Sequence, residues 1–307
     1  MPYQFCNLTE INGSDIVDQK DFEQRAADAA FIGTLQAGYT NFHYLRPVWK
    51  ETTEKQALLG VGITGIASNA IANLDEKTAA SIAVSMNTVV SHMIGINAAA
   101  RVTTVKPSGT SSLVLGSSSG IHGWHAPYYI RRMRLGKDEA IYKYLAKTLP
   151  EFLEDEKYHP DIQAVLSIPQ KAPDGATIRT ESALDLLDRV NRYNTNWVRE
   201  GHVEGANTNN VSVTVSIKDD EWAEVGQWMW DHRNTYNGIS VLPYDGGTYV
   251  QAPFEDITKE QYEELAPRLA AIDLTKIKEK SDNTDLVGEV ACAGGACEID
   301  FDQLGKE

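Results

Sequence analysis

Residues 101–116 read RVTTVKPSGTSSLVLG, and this stretch decides the fold. The β-branched run at its start predicts a short strand. Lys106 and Pro107 end that run, and LVLG opens a helix behind small hydroxyl residues. Strand, loop and helix in immediate succession are the unit of an α/β fold. The loop Ser108-Gly109-Thr110-Ser111-Ser112 places hydroxyls and backbone N–H groups at a helix start, where the helix dipole adds positive potential. That combination suits a phosphate group. No GxxxxGK[ST] is present, so the loop is not a Walker A loop. A plain capped helix after a proline accounts for the same spacing, and both readings stand at this level.

Working outward, the apolar spacing of Ile16, Phe22, Ala26, Ala29, Ala30 and Ile32 predicts a helix to about residue 36, with Asp15 as its cap. A second helix is expected over residues 75–100. Between them, GVGITGIA at residues 60–67 alternates glycine with apolar residues, which suggests close backbone approach at a turn or a tightly packed helix start. Downstream, GIHGWHAPYYIRRMR reads as a loop and an extended segment. Helices are expected at 137–148, 182–200, 219–231 with aspartate caps, and 258–269 with a Thr258–Gln261 capping box. Strands are expected at 164–168, at 210–217, where NVSVTVSI alternates cleanly, and at 239–242 as a short buried strand. The whole is an α/β architecture. After residue 272 the sequence turns charged and then glycine-rich, so residues 1–272 are expected to form one body and residues 273–307 a flexible tail.

The chain of 307 residues has 28 basic and 43 acidic side chains, a formal charge of −15. A field of that sign repels polyanions and argues against a broad DNA- or RNA-binding face. Residues 78–100 carry no charged side chain, but Ser81, Ser85, Asn87, Ser91, His92 and Asn97 would be costly in lipid, so a buried helix is expected and no membrane partner. The start of the chain lacks a signal-peptide pattern. Three cysteines do not make a disulfide scaffold and suit a reducing cytoplasm.

Two of those cysteines, Cys292 and Cys297, flank Ala-Gly-Gly-Ala in the tail. Such a pair can close a disulfide and exchange with another one. Two unrelated surface thiols are the simpler alternative, and a zinc site would need two further ligands nearby. Cys6, taken alone, reads as a small core residue more readily than a catalytic thiol. His122 and His125 follow the hydroxyl loop and read as loop packing. Arg131, Arg132 and Arg134 suit a phosphate clamp or an exposed strand of alternating charge. Tyr128 and Tyr129 read as a buried aromatic pair.

Taken together, VTTVKPSGTSSLVLGSSSGIH with APYYIRRMR, NGISVLPYDGGTYVQAPFEDIT and ACAGGACEID resemble the C-terminal half of adenosylcobalamin-dependent, monomeric class II ribonucleoside-triphosphate reductases. The resemblance implies the second half of a ten-stranded α/β barrel with a flexible redox tail. It implies that Ser108, Gly109, Thr110, Ser111 and Ser112 bind the phosphates of ribonucleoside triphosphates. It implies that Cys6 is one of two thiols that reduce the substrate, and that Cys292 and Cys297 then reduce the resulting disulfide. Thioredoxin or a similar dithiol would reduce the tail, and adenosylcobalamin would serve the assembled enzyme.

The family's radical cysteine lies in an Asn-x-Cys-x-Glu motif before the CNLTEI stretch. Asn7 and Glu10 have the wrong spacing around Cys6 to replace it. The expectation is therefore a chain that needs a separate N-terminal half and is inactive by itself. The rival expectation is a non-catalytic remnant that binds nucleotide phosphate, or a regulatory partner of an intact reductase.

Overall fold

The computed structural model describes residues 2–244 and 249–278. Along the chain the elements are β1 (Asn7–Asn12), α1 (Gln19–Ala37), α2 (Pro47–Gln56), β2 (Leu59–Thr64), α3 (Glu76–Ile94) and α4 (Gly109–Leu115). They continue with β3 (Tyr128–Gly136), α5 (Ala140–Thr148), β4 (Leu153–Asp155), β5 (Gln163–Lys171), α6 (Ala183–Tyr193) and β6 (Thr214–Ile217). The last are α7 (Trp222–Asp231), β7 (Ser240–Pro243), β8 (Phe254–Asp256) and α8 (Lys259–Ala270). Two compact units contain them: the described parts of Met1–Trp124 with Gly175–Tyr244, and those of His125–Asp174 with Asp245–Glu307.

The first unit is built on parallel strands. β1 pairs with β2 from Asn7↔Leu59 to Asn12↔Thr64. β2 passes the ladder on through Val61↔Thr103, and that segment passes it on through Val105↔Val211, both parallel. β6 and β7 form a further parallel pair from Thr214↔Ser240 to Ile217↔Pro243. One face of these strands packs on helices. Leu59, Val61 and Ile63 of β2 are fully buried, as are Phe22, Ala26 and Ala30 of α1 and Ala79, Ala80 and Ala83 of α3. Alanines at helical spacing let α1 and α3 approach closely while still removing apolar area from water. Phe22 stacks on Trp197 with ring centroids 5.8 Å apart.

The second unit is an antiparallel sheet in the order β4-β5-β3-β8. Its core gathers Leu145, Leu149, Phe152 and Leu166, with Leu265 and Leu269 of α8 packed against it.

Several expectations hold. The loop after residue 105 does open a helix, α4, and the Thr258–Gln261 capping box is present at α8. No helix among the described residues is long and apolar enough to cross a membrane. Others need correction. α1 is capped by Asp18, whose carboxylate accepts the Asp21 N–H; Asp15 pairs with Arg25. α3 stops at Gly95 and does not reach residue 100, because Gly95 takes φ +74° and its N–H and that of Ile96 return to His92 and Ser91.

α7 has no aspartate cap: Glu221 precedes it, and its carboxylate accepts from the N–H groups of Ala183 and Lys218. β7 is largely exposed. Of the glycine-alternating stretch 60–67, the part to Thr64 is a strand, while the turn and helix start lie at its end, where Gly65 takes φ +76° and leads into a helical turn at Ile66–Ser68. Residues 47–56 form α2, which carries no side-chain cap and was not expected.

Candidate active site

Side chains alternate across a strand, so Cys6, Leu8 and Glu10 fall on one face of β1 and its approach. On β2 the same face is Gly60 and Gly62. A Cβ on Gly60 would lie 2.4 Å from Leu8 Cδ2, 3.2 Å from Cys6 Sγ and 3.3 Å from Thr104 Cγ2. A Cβ on Gly62 would lie 3.1 Å from Lys106 Cε and 3.2 Å from Glu10 Oε1. The two glycines therefore leave a groove, filled by the Cys6 sulfur, the methyl groups of Leu8 and Thr104, the Lys106 stem and a Glu10 carboxylate oxygen. This is the reason for glycine inside a buried strand.

Glu10 joins this groove to the hydroxyl loop. Its carboxylate lies 3.0 Å from Lys106 Nζ and accepts hydrogen bonds from the hydroxyls of Ser108 and Ser111. Ser108 takes φ 55° and ψ 32°, a left-handed conformation uncommon outside glycine, and does not cap α4 with its side chain. The loop is braced from behind. Ser119 donates to the Pro107 carbonyl, Thr64 donates to the Ser118 carbonyl, and the Gly120 N–H donates to Thr64 Oγ1. Gly120 has φ +53°, and a Cβ there would meet the Lys106 carbonyl at 2.4 Å.

Trp197 supports the same segment, with its indole N–H donating to the Thr104 carbonyl at 2.9 Å. Of the loop residues expected to bind phosphate, Ser108 and Ser111 thus converge on one carboxylate. Ser112 is buried and donates to the Gly109 carbonyl, while Thr110 is exposed.

Cys6 is a free cysteine and an exposed residue, but its sulfur leans over Gly60. Desolvation there pushes the thiol up to about 11, against the opposing pull of Arg101 and Lys106. At neutral pH it is a protonated thiol, suited to giving hydrogen and poorly suited to nucleophilic attack. Cys292 and Cys297 lie outside the described residues.

The remaining candidates are structural. The half-buried His122 accepts the Thr214 N–H at Nε2, and its Nδ1 sits 3.2 Å from the Ser119 carbonyl, so both ring nitrogens are engaged. Desolvation lowers its pKa and keeps it neutral. In the second unit, His125 sits 2.7 Å from Asp256 and stacks on Phe254. Arg131 lies over the Phe254 ring, Arg132 pairs with Glu255 and Glu154, and Arg134 pairs with Glu156. These arginines are neutralised by local acids or stacked, which argues against a phosphate clamp. Tyr129 is buried against Phe254, while Tyr128 alternates to the other face and meets Tyr262. The two tyrosines do not form a pair with each other.

The sequence reading missed Glu10 as a member of the site. The one available signal was parity: Glu10 lies four residues after Cys6 and therefore on the same face.

No family model matches the chain. It is 33% identical over 224 residues to the adenosylcobalamin-dependent ribonucleoside-triphosphate reductase of Lactobacillus acidophilus, covering 68% of this chain and 28% of that protein. It is 33% identical over 183 residues to the enzyme of the same name from Euglena gracilis, covering 57% and 23%. With that of Lactobacillus helveticus it is 26% identical over 344 residues, covering 96% and 43%. The chain thus spans roughly a quarter to two fifths of the curated relatives it matches. The crystal structure of a B12-dependent class II ribonucleotide reductase superposes with a TM-score of 0.70 at 22% identity, over 86% of this chain and 40% of that one. At 33% identity over 68% of its length, the chain belongs to the adenosylcobalamin-dependent ribonucleoside-triphosphate reductases.

Proposed function

We propose that this chain supplies the substrate-reducing thiol and the phosphate loop of a ribonucleoside-triphosphate reductase. The observation that carries the reading is the shared groove: Cys6 and Glu10 lie on one face, and Glu10 holds the hydroxyls of Ser108 and Ser111. A triphosphate held by the loop of Ser108 to Ser112 would bring its ribose towards the thiol. In this reading residues 1–272 contribute to a ten-stranded barrel and residues 273–307 act as the redox tail.

The overall step balances with two thiols. Cys6 and a partner cysteine together give two electrons and two protons, the ribose 2′-hydroxyl leaves as water, a C2′–H bond forms, and the sulfurs join as a disulfide. Cys292 and Cys297 then exchange with that disulfide, regenerating the two thiols and becoming a disulfide themselves. A thioredoxin-type dithiol reduces the tail. Because the active-site disulfide lies inside a groove, a tethered dithiol gains from its high effective concentration.

Adenosylcobalamin, when bound, supplies the radical that starts the reaction at the family's Asn-x-Cys-x-Glu cysteine. The polar groove residues described here suit a nucleotide and not a corrin ring, so none of them is assigned to the cobalamin. The radical cysteine must come from a segment carrying that motif, whether joined to this chain or separate from it.

The test is CTP reduction with adenosylcobalamin and a dithiol, by the chain with and without a polypeptide carrying the Asn-x-Cys-x-Glu segment. Product from the mixture, lost on replacing Cys6 by serine, supports the reading. No product from two polypeptides shown to bind each other contradicts it, and so does reductase activity of this 307-residue chain alone.

A further inference from the structure

Two of the hydroxyls offered to a phosphate by the loop already hold an anion of the protein's own. The Glu10 carboxylate accepts from Ser108 and from Ser111, and Lys106 Nζ stands 3.0 Å from it. The Glu10 side chain is 7% exposed and that of Lys106 17%. Gly62 on the neighbouring strand leaves the room in which they meet: a Cβ there would lie 3.1 Å from Lys106 Cε and 3.2 Å from Glu10 Oε1. Ser108 is turned to this contact. It takes φ 55°, which is uncommon outside glycine, and its hydroxyl reaches Glu10 where a capping serine would accept from the helix N–H groups.

A serine hydroxyl has one proton to donate, whereas a lysine ammonium has three. While Ser108 and Ser111 donate to Glu10, neither can donate to a phosphate. Lys106 can serve both anions at once. A phosphate at the loop also stands against a like charge withdrawn from water, where repulsion is strong.

We propose that Glu10 is an internal competitor for the phosphate loop: its carboxylate occupies the Ser108 and Ser111 hydroxyls, and a phosphate ligand binds by taking both hydroxyls over while Lys106 bridges the two anions. A charged acceptor holds these donors more firmly than water or a neutral hydroxyl does, so only another anion displaces it. Glu10 thereby sets the loop's affinity below what its donors alone would give. Acting alike on substrate and product, it raises KM and leaves the chemical step untouched. This inference deepens the reductase reading and rests on its assignment of the loop to phosphate.

The test titrates inorganic tripolyphosphate into the folded chain at neutral pH and low salt, followed by calorimetry. E10Q removes the competing charge and should bind about tenfold more tightly than the parent, or better. E10Q/K106Q should lose most of that gain, because the freed ammonium supplies it. E10D keeps the charge but draws it back from the serines. It should tighten binding by about twofold or more, and it carries the test if E10Q does not fold. Affinity unchanged or weakened in E10Q overturns the inference and makes Glu10 a brace that holds the loop open to phosphate. So does a gain in E10Q that survives in E10Q/K106Q. Absence of binding to parent and variants alike overturns both the inference and the phosphate role of the loop. Tripolyphosphate binding needs no cobalamin, so the expected gain without CTP reduction in the mixture would sink the reductase reading and leave the competitor standing.

Discussion

In the first unit, Lys106 and Glu10 meet with side chains 17% and 7% exposed, and the carboxylate also takes two serine hydroxyls. In the second unit, Arg132 meets Glu154 and Glu255, whose side chains are 49% and 53% exposed. Both join a strand residue to a partner of opposite charge, yet their physical roles differ. Arg132 is as withdrawn as Lys106, at 18%, but its carboxylate partners stand half in water, where their attraction is weak and either carboxylate can be lost at small cost. The Glu10 pair is withdrawn from water, so each member depends on the other and on the hydroxyls around them. A dense cluster of arginines drew the eye in the sequence, while a single glutamate on β1 did not. Burial and the number of partners mark the site, and charge density does not.

Predictions that break or sharpen this contrast fall in order of size. Replacing Cys6 by serine should lower dithiol-driven CTP reduction in the mixture of both polypeptides by on the order of 10³-fold or more, because a redox participant is lost. Activity within a few-fold of the parent would move the chemistry away from the groove. Replacing Glu10 by alanine should destabilise the chain by about 3 kcal/mol, since it strands a buried ammonium and two hydroxyls. Urea unfolding with an unchanged slope reads that loss. Replacing Gly60 by alanine forces Leu8 and Cys6 aside, and should cost about 1–3 kcal/mol in the same assay. Replacing Glu255 by alanine should cost less than about 1 kcal/mol, and a larger loss would erase the distinction between the two units.

The same contrast explains what was legible in the sequence. The Thr258–Gln261 box was readable because its hydrogen bonds span three residues, and the hydroxyl loop because proline, glycine and hydroxyl residues ahead of an apolar run mark a helix start whatever they contact. Glu10 was not, because the hydroxyls it accepts from are 98 and 101 residues away. β2 was misread because glycine weakens strand propensity, and the reason for Gly60 and Gly62 lies in side chains of neighbouring strands. α2 begins at a proline without a side-chain cap, so its start carries little local signal. The division into two units was not legible either, since the second unit is assembled from two separate stretches of chain. The family resemblance supplied the role proposed for Cys6, which no local pattern around a lone cysteine provides.

One single-turnover experiment bears most directly on Cys6 as a reducing thiol. The chain, with Cys292 and Cys297 replaced by serine, is combined with the Asn-x-Cys-x-Glu segment, adenosylcobalamin and CTP, without external dithiol. Mass spectrometry then follows the cysteines while dCTP is counted. Cys6 should appear in one disulfide for each dCTP formed. Formation of dCTP with Cys6 still a free thiol would contradict the assignment.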